Sequence, residues 1–311
     1  MLGEPIEGGP IEEVLVTRGT EIDQTATVGM PTFVRTFEHL RWQAMQDPRL
    51  GLVDLIHDGH FFVVRTQVVE LRRRIGLGVA LRMRTTFESV GRSTATVRHE
   101  ATRVSDGAIV ARARVVGVWL GPTRRMARLP DQCRAFSEAY TLAYPLTPAE
   151  GSAPAGDAMR VPGTGHPRSF THPPEVVFPP IGLADDPPAL TDPAIVSRAF
   201  DYVHRVVVPP RDLDVFSHVN AATWALYCDD ARHLGAASID PNQAPRGWVV
   251  RAGLFYGREA VVGDALDIGV WSIAPRALGF VCLRGDEPLV TVRFDLAPGA
   301  RAVTEPSAGE P

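Results

Sequence analysis

Between Asp214 and Asn220 the chain reads Asp-Val-Phe-Ser-His-Val-Asn, placing an acid, an imidazole and an amide just before an apolar run with helical spacing. Trp224, Tyr227, Cys228, Ala231 and Leu234 recur at three- and four-residue steps, and Asn220 is a good N-cap, so the spacing predicts a helix with one buried face. The turn entering such a helix has unpaired N–H groups and the positive end of the helix dipole, both suited to polarising a carbonyl or holding an oxyanion. An acid and an imidazole beside that end can activate water against an acyl group. The plainer alternative is that Asp214 and His218 satisfy turn and cap hydrogen bonds, and the motif in isolation favours it.

Other candidate groups have weaker cases. Ser217 adjoins His218, but sequence neighbours at a helix entrance rarely converge, and no G-x-S-x-G elbow occurs. Cys228 falls on the apolar stripe and reads as a packing thiol. His57-Asp58-Gly59-His60 has the look of a metal pair, yet its glycine and its place before a strand indicate a loop, and H-E-x-x-H is absent. Arg72-Arg73-Arg74 ends a strand beside a turn; a solvated edge is the simplest reading, with phosphate or an acidic protein face as the alternative.

These residues sit in a chain of 311 residues with a net charge of −4, which gives no general attraction to nucleic acid or anionic membrane. There is no lysine, so Schiff-base and P-loop lysines are excluded. Cys133, Cys228 and Cys282 are odd in number and far apart, which indicates neither a disulfide framework nor a C-x-x-C metal site. With no apolar N-terminal segment or run of membrane-spanning length, the expectation is a cytoplasmic protein.

The elements around the motif occur twice. A strand over Val14 to Thr20 precedes a helix opened by Pro31 and striped by Phe33, Phe37, Leu40 and Ala44; strands then read over 61–71, 81–88, 93–104 and 109–120. The second half repeats this with a strand over 203–208, the motif and its helix, and strands over 248–257, 265–272, 278–284 and 288–296. A shift of 191 lays Asp214 on Asp23, Val219 on Val28, Trp224 on Phe33, Asp229 on Glu38 and Arg232 on Arg41, so an acid followed three positions later by Arg marks both helices. A shift of 185 lays Gly263 on Gly78 and Leu266 on Leu81. The chain therefore reads as two copies of one strand–helix–four-strand unit, over 12–120 and 202–297. Residues 121–201 read as a connection with one short helix near Asp131 to Tyr144; 14 of the 27 prolines fall within 121–200. Residues 298–311 read as a disordered tail.

A long helix wrapped by antiparallel strands, twice in one chain, resembles the double hot-dog acyl-carrier-protein thioesterases of plants and bacteria, and more distantly the single-unit 4-hydroxybenzoyl-CoA thioesterase superfamily. The resemblance is carried by Asp212-Leu213-Asp214-x-x-x-His218-Val219-Asn220 and Tyr227-x-x-x-Ala231-Arg232. It implies an α+β fold of two tandem hot-dog units pairing as a pseudo-dimer, and hydrolysis of an acyl thioester on a carrier protein or coenzyme A, with no metal or cofactor. By position it places the family's acid on Asp214, its His on His218 and its Glu on Glu259, with Asn220 helping to position the thioester. The family's Asn position holds Phe216, which cannot hydrogen-bond a thioester oxygen, and Ala260 stands where plant members commonly have Cys. The first unit keeps Asp23 but has Thr27 at the His position and Arg74 opposite Glu259, so Asp23 and Thr27 form a second site or, by preference, a remnant shaping the acyl pocket. Phe216, Trp224 and Phe33 are the expected pocket residues, and Arg72, Arg73 and Arg74 the expected contacts for coenzyme A phosphates or a carrier protein. Two rivals stay open, an acyl-thioester dehydratase or hydratase on the same fold and a non-catalytic acyl-binding protein. A homo-oligomer also stays open, and a fatty-acid or polyketide setting is compatible.

Overall fold

Turn glycines and alternating strands divide the chain into its two halves, and the repeat is visible in the backbone. The computed structural model describes residues 7, 9–22, 27–146, 199–238 and 247–297. The first half runs β1 (Glu12–Val16), α1 (Met30–Gln46), α2 (Val53–His57), β2 (Phe61–Leu71), β3 (Ala80–Val90), β4 (Thr94–Arg103), β5 (Ile109–Leu120) and α3 (Asp131–Ala143). The second runs β6 (Tyr202–Val207), α4 (Ala221–Ser238), β7 (Val249–Tyr256), β8 (Ala265–Ala274), β9 (Ala277–Arg284) and β10 (Glu287–Leu296). The described strands form one antiparallel ten-stranded sheet in the order β1-β3-β4-β5-β2-β7-β10-β9-β8-β6. Read from its two ends the order is the same, because β6 to β10 stand in for β1 to β5.

The halves join where β2 pairs with β7, from Thr66 opposite Phe255 to Glu70 opposite Arg251. Small features repeat as well: Ile22 bridges Val28 as Leu213 bridges Val219, and Gly78 and Gly263 both take left-handed φ values, 76° and 84°. The helices α1 and α4 pack against each other across the inner face of the sheet. Phe33, Val34, Phe37 and Leu40 of α1 and Trp224, Ala225, Cys228 and Ala231 of α4 belong to one buried cluster shared by both halves. That common core is why two sequence repeats make one folded body.

Local differences from expectation have local causes. The strand expected over Val14 to Thr20 stops at Val16, because Thr17 Oγ1 donates to the Gly76 carbonyl (2.7 Å) and the chain then closes a tight turn over Gly19–Glu21. Leu234 ends the predicted α4 stripe but is 47% exposed; Gly235 faces inward instead, and a Cβ there would stand 2.9 Å from the Tyr202 ring. The expected short helix is α3, anchored by Tyr140, whose hydroxyl donates to Thr85 O (3.1 Å) and accepts from the Ile11 N–H (2.5 Å). Residues 147–198 and 298–311, which hold most of the Pro-rich connection and the tail, lie outside the described residues. Among the described residues, no helix is long and apolar enough to cross a membrane.

Candidate active site

The acid–imidazole–amide motif forms a closed turn at the mouth of α4. The Asp214 N–H donates to the His218 carbonyl (2.8 Å), the Ser217 N–H to the Asp214 carbonyl (3.1 Å), and Ser217 takes a left-handed φ of 63°. Asp214 Oδ1 accepts from the Phe216 N–H (2.8 Å) and the His218 N–H (3.2 Å). One carboxylate oxygen thus holds the loop, and the side chain still lines a cleft of about 520 Å³. Asn220 is the cap: its Oδ1 accepts from the Ala222 N–H (2.8 Å), and its own N–H donates to Asp212 O (2.9 Å). Asp212 in turn accepts from the Tyr227 hydroxyl (2.6 Å), so α4 braces the turn that precedes it.

The loop after β7 completes the group. The Val219 N–H donates to the Ala260 carbonyl (2.8 Å), drawing that loop against the motif, and Glu259 Oε2 lies 3.0 Å from His218 Nε2. Arg124 joins them from the turn after β5: its NH1 donates to Glu259 Oε2 (2.5 Å) and its NH2 lies 3.1 Å from His218 Nε2. An unprotonated Nε2 accepts from Arg124, and a protonated Nε2 donates to Glu259. The imidazole therefore has a hydrogen-bond partner in either protonation state.

The first half supplies the other wall. Glu38 and Arg41 of α1 line the cleft, 6% and 4% exposed, and their charges pair at 3.3 Å. Glu38 Oε2 also accepts from the Ala222 N–H (3.3 Å) at the positive end of α4. Burial pushes the Glu38 carboxyl above its usual 4.5, and the nearby Asp214 charge adds to this, against the opposite pull of Arg41 and of hydrogen bonds from Ala222 and Asn220. The helix entrance is thus less open than the sequence suggests. The Ala222 N–H is shared by Asn220 and Glu38, and the Thr223 N–H donates to Asn220 O (2.9 Å); Ala221 and Trp224 are the residues of this first turn that line the cleft.

The remaining walls are aromatic. The Phe216 ring lies 5.0 Å from Phe61 and 5.9 Å from Trp42, between centroids, and Trp224 and Tyr256 line the cleft from the second half. Where the resemblance has a hydrogen-bonding Asn, this chain has part of an aromatic cluster.

The other predicted residues lie elsewhere. Phe33 is buried in the shared core and faces a different, small pocket beside β1. Arg72, Arg73 and Arg74 follow the far end of β2, roughly 20 Å along the strand from the Phe61–Arg65 segment that lines the cleft. Arg74 stacks on Trp248 at 3.6 Å, and Arg72 lies 3.9 Å from Glu70. Thr27 is buried just ahead of α1, and Asp23 lies outside the described residues. Cys228 is fully buried with its Sγ 4.0 Å from that of Cys282, and burial raises its pKa. His60 stacks on Trp119 and its Nδ1 sits 3.2 Å from Leu55 O. Sequence reasoning missed Arg124. It saw the acid–x–x–Arg pattern of Glu38 and Arg41 as repeat register, not as a site.

Residues 17–137 match the model of the thioesterase-like superfamily. The fold is a double hot-dog, and the matched residues span its first unit and run on into α3. The double hot-dog aligns over 92% of its length with a 12:0-acyl-carrier-protein thioesterase from Umbellularia californica, covering 96% of that chain at 14% identity and a TM-score of 0.62. An acyl-carrier-protein thioesterase from Bacteroides thetaiotaomicron aligns over 92% of this chain and 97% of its own, at 14% identity and a TM-score of 0.60. At these identities the likeness is one of fold. No curated protein matches the sequence.

Proposed function

We propose that this double hot-dog hydrolyses acyl thioesters, carried on coenzyme A or an acyl carrier protein, to a free acid and a thiol. The observation that carries the reading is the meeting of Asp214, His218 and Glu259 on one aromatic-walled cleft between the units, beside the N-terminus of α4. Water is the nucleophile in this scheme. Asp214, whose Oδ1 is held by the turn, orients it; a carboxylate or His218 takes its proton as its oxygen bonds to the acyl carbon. The carbonyl oxygen gains charge facing the positive end of α4, and the carbon–sulfur bond then breaks and the departing thiolate takes up a proton. Asn220 acts as a positioning residue through its cap, and Arg124 holds Glu259 and His218 in register. A cytoplasmic setting, where both carriers occur, belongs to the same proposal.

The test is release of free thiol from a panel of acyl-coenzyme A and acyl-carrier-protein thioesters by the purified chain. Turnover is expected with at least one carrier class. Hydration of an enoyl thioester without thiol release would replace this reading with the hydratase one.

A further inference from the structure

The two acid–x–x–Arg pairs serve as an internal control on one another, and they differ. In the second unit Arg232 is satisfied: Nε donates to Asp229 Oδ1 (2.9 Å), NH1 to Gly247 O (3.3 Å), and NH2 lies 3.1 Å from His233 Nε2. In the first unit Arg41 donates through NH2 to Glu38 (3.3 Å), while its buried NH1 has no hydrogen-bond partner among the described residues. A buried guanidinium nitrogen left unmatched is costly unless something completes it. Arg41 also borders two spaces, the cleft that holds Asp214 and His218 and a smaller pocket of about 30 Å³ otherwise walled by apolar groups such as Leu50, Phe87 and Val97.

The inner face of the first unit beside Arg41 holds two further buried polar groups among its apolar side chains. Phe37, one helical turn before Arg41, stacks on His99 at 5.5 Å. His99 is fully buried; its Nδ1 is 3.0 Å from Thr85 Oγ1, and its Nε2 has no partner among the described residues. Gln67 is fully buried too, with both amide atoms unmatched among the described residues, one strand row from His99 across β5.

We propose that Arg41 is a specificity-determining residue whose NH1 binds a neutral oxygen, an oxo or hydroxyl group, on the acyl chain of a substrate held in the cleft. A neutral oxygen fits better than a carboxylate because Glu38 already balances the Arg41 charge and would repel a second anion. The inference rests on the thioesterase reading only for what the acyl group is attached to; an oxygenated acyl chain would occupy the same path in a binding protein.

The experiment uses the full chain and acyl-pantetheine compounds of matched length, saturated or bearing one oxo or hydroxyl group at successive carbons. Thioesters report hydrolysis, and non-hydrolysable thioether analogues report binding by calorimetry. The expected result is that one oxygen position binds the wild-type protein at least about tenfold more tightly than the saturated analogue, as a hydrogen bond to a buried charged donor implies. Arg41→Met should collapse that ratio toward one, and Arg41→Lys, which keeps the charge opposite Glu38, should restore part of it. The wild-type ratio stands on its own if Arg41→Met does not fold. Binding preference without thiol release would sink the hydrolase reading and leave this inference standing. Equal binding of saturated and oxygenated analogues, no binding of either, or a preference unchanged in Arg41→Met would overturn it.

Discussion

At the scale of single residues, the site depends on a few side chains whose partners decide what they can do. Arg124 shows this best. Its ion pair with Glu259 is more than half exposed on the arginine side, so it adds little to stability, yet it fixes the carboxylate and imidazole that face the cleft. Arg124→Ala is therefore expected to lower kcat by about 10–100-fold, the usual effect of misplaced catalytic groups, while thermal melting stays within a degree or two of wild type. Steady-state kinetics and melting curves on one preparation check this, and equal activity would remove Arg124 from the site. Asp214, His218, Asn220 and Glu259 stand out in the sequence as candidates because their spacing is local or matches a known pattern. Arg124 comes from a distant turn with a left-handed φ of 60°, and no local spacing announces such an approach.

The elements were legible because their patterns are regular. Strand alternation, Pro31 at the start of α1 and the repeat offset place nearly every strand and both long helices. What they do not reveal is which inward positions are polar, since His99 and Gln67 fall where the alternation calls for apolar residues. His99 carries a consequence for the β3–β4 pair in which it sits. Burial, with a smaller effect from the Arg41 charge, lowers its pKa from 6.5 to about 3. The folded protein thus keeps His99 neutral where the unfolded chain protonates it, so this contribution is complete above pH 6.5 and is lost as the pH falls from 6.5 toward 3. The loss is on the order of 5 kcal/mol across that window by linkage. Urea titrations between pH 7 and 4 are expected to show a steeper acid decline for wild type than for His99→Gln, and parallel declines would contradict the burial argument.

At the scale of the whole molecule, the described residues form one sheet and one shared core from two related halves, and the candidate site lies where the halves meet. The β2–β7 pairing and the core shared by α1 and α4 bind the units together, so chemical denaturation is expected to give one transition when followed by far-ultraviolet circular dichroism and by tryptophan fluorescence, with Trp42 and Trp119 in one half and Trp224 and Trp271 in the other. Two separated transitions would mean that the halves fold independently. The division of labour follows from the same geometry: the second unit brings the acid and imidazole, and the first brings Glu38, Arg41 and part of the aromatic wall. The account is tested most directly by measuring thiol release from the best thioester substrate for wild type and for Asp214→Asn, with thioether binding measured in parallel. Asp214→Asn is expected to bind the thioether within a few-fold of wild type and to lose at least about 100-fold in kcat. An Asp214→Asn protein that releases thiol at the wild-type rate would contradict the account.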